Sequence, residues 1–288
     1  MKFGLRYCNV GRFVDPAKAV ELVQAAEEAG FESAWTVEHT VVPAGYASQY
    51  PYSTTGRMGP RDDMPIPDPL IWMSYIAAAT SRIKLATGIL ILPQHNPVIT
   101  AKQVATLDAM SGGRVLLGIG VGWLEEEFAT IGAPFAERAA RTDEYVAVMR
   151  ALWGMESPTF HGEFFDFENA YCLPQPPGGS VPIIVGGHSK AAARRAGRLG
   201  DGFFPARETR EDLIELARGT AAEHGPDPAD LEITISVPSD LDALDHLANL
   251  GVARVLVPVS PFPGMGAPVD TPEEALAWKS RIERYADA

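Results

Sequence analysis

Residues 83–123 read IKLATGILILPQHNPVITAKQVATLDAMSGGRVLLGIGVGW and contain one complete strand–helix–strand unit. The two strands, predicted over 83–92 and 114–119, are nearly unbroken apolar runs, as is typical of parallel strands buried on both faces. Between them, Asn96-Pro97 begins a helix, and Ser111-Gly112-Gly113 ends it. The stretch therefore predicts one β/α unit of a parallel sheet.

The same alternation extends over the whole chain. Six further strands are predicted, at 3–8, 32–37, 181–185, 201–205, 231–237 and 252–259. The chain has 288 residues, of which 46% are hydrophobic, and a single barrel needs about 250. We therefore predict one α/β domain over 1–288, a (β/α)8 TIM barrel with insertion loops at the C-terminal mouth. A doubly wound open sheet is the alternative.

Two segments do not fit the alternation and are predicted to be insertions. Residues 40–67 are rich in Pro, Gly, Tyr and Ser without periodicity, which indicates a lid-like or binding loop. Alternating aromatic residues within 157–177 predict a hairpin-like insertion. Among the helices, one is predicted to begin at Thr209 and end at His224.

Charge and composition exclude several classes of function. The 24 basic and 37 acidic residues give a net charge of −13, which disfavours nucleic acid as a partner. No apolar run of about 18 residues or secretory signal occurs, so we expect no membrane span. The two cysteines lack metal or redox spacing, which indicates reduced thiols in a cytoplasmic protein. HExxH, CxxC and GxSxG motifs are also missing, so we expect no metal site and no serine nucleophile.

In a barrel, the residues that follow the strands form the working site. Glu38 and His39 follow the second strand, and a histidine there could exchange protons near neutral pH, although ordinary loop polarity would give the same pattern. Thr87 and Gly88 interrupt the third strand, where glycine often marks a bulge or the approach of a ligand. His95 lies in the following loop, and its position alone assigns it no role.

Two glycine-rich segments follow the fourth and fifth strands. GIGVGW, at 118–123, has no acidic partner about 20 residues on, so it is not a dinucleotide fingerprint but an exposed backbone surface. Residues 186–189, GGHS, precede a helix, and unpaired amides there favour an anion such as phosphate. A tight turn with a serine cap is the alternative. Glu125, Glu126 and Glu127 are interpreted as a solvated helix face.

Four segments of the chain resemble a known family. The segments FGLRYCNVG, AAEEAGFESAWTVEH, TGILILPQHNPVITAKQVATLDAMSGGRVLLGIGVGWLEEEF and VPIIVGGHSKAAARRAGRLGDGFF are similar to the luciferase-like monooxygenase superfamily. The resemblance covers most of the chain and is strong through about Phe204. The 40–67 loop and the GWLEEEF ending resemble the branch that depends on coenzyme F420.

The resemblance implies a barrel that binds F420, or alternatively FMN, at the strand C-termini. The ring is expected to rest on a third-strand bulge with a non-prolyl cis peptide, and the matching bond is Gly88–Ile89. His39 and Glu38 match the catalytic pair beside the reactive ring edge. The cofactor-binding residues implied by the resemblance are Thr87, Gly88, Ile89, Gly120, Val121, Gly122 and Trp123, with Gly186, Gly187, His188 and Ser189 at the phosphate end.

The sequence therefore predicts an F420-dependent oxidoreductase that transfers a hydride between the deazaflavin and a small organic substrate. His39 would be the acid/base or charge-stabilising residue, Glu38 would orient it, and Trp123 with loop aromatics Tyr46, Tyr50 and Tyr52 would wall the substrate space. An FMN-dependent monooxygenase using O2 and a non-catalytic flavin-binding protein are the alternatives. The family's sugar-phosphate dehydrogenases use an acidic proton donor that matches 121–123 here, so that activity is not expected. Family members are commonly homodimers, and we expect the same.

Overall fold

Eight parallel strands form a closed barrel in the computed structural model, which describes residues 1–59, 61–205, 210–224, 227–262 and 265–286. The strands are Lys2–Arg6, Ser33–Thr36, Lys84–Thr87 continued by Leu90–Ile91, Val115–Gly120, Ile183–Gly186, Gly202–Phe204, Glu232–Ser236 and Arg254–Pro258. Each strand pairs with the next, and Leu5 of the first pairs with Val257 of the eighth, which closes the ring. The predicted barrel is confirmed, and the open sheet is wrong.

Helices lie between the strands and cover the outside of the barrel. The α-helices of the described ranges are Pro16–Ala29, Pro69–Ala79, Pro97–Ser111, Glu125–Ile131, Arg138–Gly154, Lys190–Leu199, Glu211–His224, Leu244–Asn249, Pro272–Ala277 and Lys279–Ala286. Asp15, Asp68 and Asn96 cap helices that begin with proline, and their side chains accept amide hydrogen bonds. The predicted start at Thr209 lies outside the described residues.

The third strand differs from the continuous strand predicted over 83–92. It is divided at Gly88–Ile89, and this peptide bond is cis, at the position that the family resemblance implied. The backbone of Gly88 packs closely against the ring of Trp35. A Cβ atom added at Gly88 would lie only 2.9 Å from Trp35 Cε3. The bulge therefore displaces the strand at the mouth end of the barrel.

The lower half of the barrel is filled with side chains. Trp35 is fully buried in a cluster with residues from five other strands, namely Ala86, Leu116, Ile184, Phe204 and Leu256. Below it, fully buried Arg254 donates hydrogen bonds to Glu32 at 2.8 Å and to Glu232 at 3.0 Å. This packing leaves space for a ligand at the C-terminal mouth.

The two insertions lie where the sequence placed them. Phe160–His161 and Asp166–Phe167 form an antiparallel pair within 157–177. The described part of 40–67 contains no helix or strand and lies over the mouth. In the described residues, no helix combines the length and the apolar character needed to cross a membrane.

Candidate active site

A cavity of about 940 Å³ lies at the C-terminal mouth of the barrel, beneath the 40–59 part of the loop. Ligand sites of this size are common, and in barrels they occur at this face. Of the residues that the sequence singled out as site candidates, the following line it: Glu38, His39, Gly88, Ile89, Gly120, Val121, Gly122, Trp123, Gly186, Gly187, His188 and Ser189.

Of the cofactor-binding residues that the resemblance implied, Thr87 is the one that does not line the cavity. Its side chain is fully buried, and its hydroxyl donates to the carbonyl of Gly118 at 2.6 Å. The predicted cofactor contact of Thr87 is therefore corrected to a packing role, in which it ties the third strand to the fourth.

His39 is held by Glu127. Nδ1 of His39 lies 2.9 Å from Glu127 Oε2, and the amides of Thr40 and Val41 donate to Glu127 Oε1 at 2.7 and 3.2 Å. Glu127 is fully buried, so the interpretation of this residue as part of a solvated helix face is wrong. The helix Glu125–Ile131 begins just after the fourth strand, and its first turn faces the loop over the mouth.

The pKa of Glu127 is lowered despite its burial. Burial alone raises the pKa, but the hydrogen bond and charge of His39, with the bonds from Gln94 and Val41, lower it further than burial raises it. The group is therefore a carboxylate at neutral pH, and it accepts from Nδ1 of His39. Since His39 lines the cavity, Nε2 is the ring nitrogen left for a ligand.

Glu38 binds a different histidine. Its Oε1 lies 2.8 Å from Nε2 of His95, and its Oε2 accepts from the amide of Ile91. The prediction that Glu38 orients His39 is therefore corrected, because both of its oxygens are engaged elsewhere. Burial lowers the pKa of His95, but the hydrogen bond and charge of Glu38 raise it to a net value above normal.

Ile89 lies against two glycines of neighbouring strands. A Cβ at Gly120 would come within 2.5 Å of Ile89 Cδ1, and a Cβ at Gly186 would come within 2.5 Å of Ile89 Cγ2. Any larger residue at either position would push Ile89 into the cavity. The third, fourth and fifth strands therefore present a flat apolar surface on which a planar ring can lie.

The start of the helix Lys190–Leu199 forms another side of the cavity. Ser189 is its N-cap and accepts from the amide of Ala192 at 3.2 Å, as the serine-cap alternative predicted. Gly187 adopts φ 137° and donates its amide to the carbonyl of Phe204. The first-turn amides that the Ser189 cap does not use remain available to an anion, and Arg138 lines the same cavity.

Aromatic side chains separate His39 from the loop. The Trp123 ring lies 5.9 Å from the His39 ring and 5.0 Å from the Tyr50 ring, centroid to centroid. Tyr50 and Tyr52 line the cavity, whereas Tyr46 is buried and its hydroxyl accepts from the amide of Met58. Trp123 thus belongs to the His39 end of the cavity, and Tyr46 supports the loop.

Among the residues in or beside the site to which sequence reasoning gave no functional role are Glu127, His95, Arg6 and Arg138. Glu127 could have been found, because a helix that begins within five residues of a barrel strand must place its first turn at the mouth. Within the described ranges, no group of three or more His, Cys, Asp or Glu side chains could hold a metal ion.

Comparison with known proteins identifies the family of the chain. The profile of the family described as luciferase-like monooxygenase matches residues 7–250. The chain belongs to this family. It is similar to an uncharacterized protein of Mycobacterium tuberculosis, with 32% identity over 287 residues that cover 98% of this chain and 97% of the relative.

Two further relatives have named activities. The F420-dependent glucose-6-phosphate dehydrogenase of Mycolicibacterium fortuitum is 31% identical over 283 residues, covering 95% of this chain and 77% of the relative. The structure of an F420-dependent secondary alcohol dehydrogenase in complex with an F420-acetone adduct shares the fold, with a TM-score of 0.75, 20% identity and 97% of each chain covered. This luciferase-like protein is therefore an enzyme, an oxidoreductase, and the non-catalytic alternative is set aside.

Proposed function

We propose that this enzyme is an F420-dependent oxidoreductase that transfers a hydride between the deazaflavin and a small organic substrate. The observation that carries the proposal is that His39, paired with the buried carboxylate of Glu127, lines the same cavity as a helix N-terminus suited to phosphate. A redox cofactor that carries a phosphate requires an anion site. An alcohol or carbonyl substrate requires a side chain that can transfer a proton.

The residues present fit such a cofactor. A planar ring would lie on Ile89, beside the bare backbone of Gly120 and Gly186, where added side chains would collide. The phosphate would lie at the first turn after Ser189, with Arg138 adding positive charge. When bound, F420 supplies or accepts the hydride.

His39 would move the proton that accompanies the hydride. Because Glu127 accepts from Nδ1, the neutral ring carries its proton there, and the Nε2 lone pair faces the cavity. Nε2 can take the proton of a substrate hydroxyl during oxidation and return it during reduction. Glu127 stabilises the imidazolium that forms, as a buried carboxylate partner does.

Two arguments bear on the cofactor and the substrate. The named relatives at about 30% identity depend on F420, which favours F420 over FMN. Val121 and Trp123 line the cavity where a second proton donor would lie in a sugar-phosphate dehydrogenase, so we propose a substrate other than glucose 6-phosphate.

Titration of the purified protein with F420 and, separately, with FMN tests the proposal. We expect F420 to bind, with a change in its absorption and fluorescence, and to be reduced or oxidised in a single turnover. His39→Ala should retain F420 and lose turnover. Tight binding of FMN without binding of F420 would instead support the FMN-dependent monooxygenase.

A further inference from the structure

Arg6 lines the cavity and, in the part of the chain that the structure describes, has no carboxylate partner. It ends the first strand and is half-buried, and its Nη1 donates to the hydroxyl of Ser236 at 2.7 Å. Its guanidinium lies 4.4 Å from the Tyr7 ring centroid and 5.2 Å from that of Phe204. Among the residues that the structure describes, no carboxylate oxygen lies within 4.0 Å of it, and its buried Nε has no hydrogen-bond partner.

This environment differs from that of two other packed arginines, Arg254 and Arg195. Arg254 binds Glu32, and Arg195 binds Asp143, so each positive charge is neutralised inside the protein. Removing a cation from water without a counter-charge is costly. The aromatic rings and the serine fix the Arg6 guanidinium in one orientation but leave its charge uncompensated toward the cavity.

The surroundings of Tyr52 show that an oxygen acceptor fits near Arg6. Tyr52 reaches from the loop into the cavity. Burial raises the pKa of its phenol, whereas a hydrogen bond from the backbone of His188 and the positive charge of Arg6 lower it in part. A phenol oxygen thus lies within the field of Arg6 and at a backbone donor, in a part of the cavity that also holds Phe204.

We propose that Arg6 binds the carboxylate of the substrate, which is an organic acid with an apolar body. A guanidinium held in one plane matches the two oxygens of a carboxylate. Around it, the cavity wall is aromatic and aliphatic, as Tyr7, Tyr50 and Phe204 illustrate. This inference rests on the proposed function and names the substrate class of the same site.

The position of Arg6 favours the substrate over the cofactor. The guanidinium is held by Ser236 of the seventh strand, which lies opposite the third strand in a ring of eight. Ile89 and the proposed ring surface belong to the third strand. A cofactor ring on Ile89 would therefore leave the Arg6 side of the mouth to the substrate, with His39, which follows the second strand, between them.

Binding of a matched pair of probes tests the proposal. Benzoate and benzamide have the same shape but differ in charge, and their dissociation constants are measured by calorimetry with F420-loaded and with cofactor-free protein. The variants are Arg6→Met and Arg6→Lys. Arg284→Met, which removes the same charge from an exposed position paired with Asp245, is the control. Inorganic phosphate is titrated as a third probe.

We expect the unmodified protein to bind benzoate at least tenfold more tightly than benzamide. Arg6→Met should raise the dissociation constant of benzoate at least tenfold and change those of benzamide and F420 less than twofold. Arg284→Met should change none of these three dissociation constants. If Arg6→Met does not fold, Arg6→Lys provides the test. Lysine keeps the charge but lacks the planar fork of arginine, so the dissociation constant of benzoate should rise about threefold or more.

Three results would overturn the role of Arg6. These are equal binding of benzoate and benzamide, phosphate binding that depends on Arg6 without benzoate binding, and an Arg6 variant that weakens F420 more than benzoate. Failure to bind F420 would overturn the proposed function instead. The cofactor-free titration reports on Arg6 separately in that case.

Discussion

Nδ1 of His39 and Oε2 of Glu127 lie 2.9 Å apart, although 88 positions separate them in the sequence. One residue follows the second strand, and the other lies in the first turn of the helix after the fourth. The third strand lies between them in the barrel, so the closed ring is what brings the pair together. The carboxylate also fixes the chain direction after His39 through the amides of Thr40 and Val41.

Glu127→Gln should lower turnover by about 10²- to 10⁴-fold, the usual contribution of acid–base catalysis. The amide keeps the size of the side chain but loses its charge, and its NH2 group can donate to Nδ1 and so place the ring proton on Nε2. Steady-state kinetics across pH should show a changed pH profile, while the F420 dissociation constant stays within about threefold.

Glu125→Gln is the matched control, since Glu125 is exposed on the same helix. It should leave both turnover and the pH profile unchanged. A Glu127→Gln enzyme with the pH profile of the unmodified protein would show that Glu127 only supports the loop.

The sequence was sufficient to predict the barrel and the residues around its mouth, because period and capping are local signals and barrel geometry fixes where strands end. The sequence could not show that Glu38 pairs with His95 or that His39 pairs with Glu127. Consecutive side chains that leave an extended strand point to opposite sides, which disfavours contact between Glu38 and His39. Their partners, His95 and Glu127, come from other β/α units, and only the closed fold brings them near.

Ser189→Asp should weaken F420 binding about tenfold or more, equivalent to about 1.4 kcal/mol per factor of ten. Aspartate caps a helix as well as serine does, so the helix Lys190–Leu199 should persist. The added negative charge, however, repels a phosphate at the same helix end. Fluorescence titration with F420 measures the change, and a salt series should reduce the difference.

Ser189→Asn is the control for this variant, because asparagine caps equally well without a charge. Its F420 affinity should remain close to that of the unmodified protein. Equal affinities of the Asp and Asn variants would place the phosphate elsewhere in the cavity.

Gly186→Ala should reduce cofactor affinity with a smaller effect on folding. The new methyl group would come within 2.5 Å of Ile89 Cγ2, so Ile89 must move into the space where the ring is proposed to lie. Gly219→Ala is the control, because a Cβ there meets nothing within 4 Å. Thermal melting and F420 titration of both variants separate folding from binding. Unchanged F420 affinity in Gly186→Ala would show that the cofactor ring does not lie on this surface.

Glu32→Gln should destabilise the barrel in a pH-dependent manner. Burial raises the pKa of Glu32, but the hydrogen bond and charge of Arg254, with weaker help from Ser33 and Lys84, lower it to about 2 from the ordinary 4.5. A carboxyl with a depressed pKa in the folded state stabilises it above the unfolded pKa and loses this effect as pH falls through the folded value. The shift corresponds to about 3 kcal/mol at pH 7 and to roughly half of that at pH 3.

Urea unfolding at pH 7 and pH 3 measures this difference between the unmodified protein and Glu32→Gln. The gap in unfolding free energy should narrow by about half at the lower pH, because Glu32 is then mostly protonated in the unfolded chain, and folding must release that proton to form the ion pair with the fully buried guanidinium of Arg254. Glu28→Gln, at an exposed position of the helix Pro16–Ala29, should show no gap at either pH. A gap for Glu32→Gln that is the same at both pH values would mean that packing around Arg254, rather than the charge of Glu32, stabilises the lower barrel.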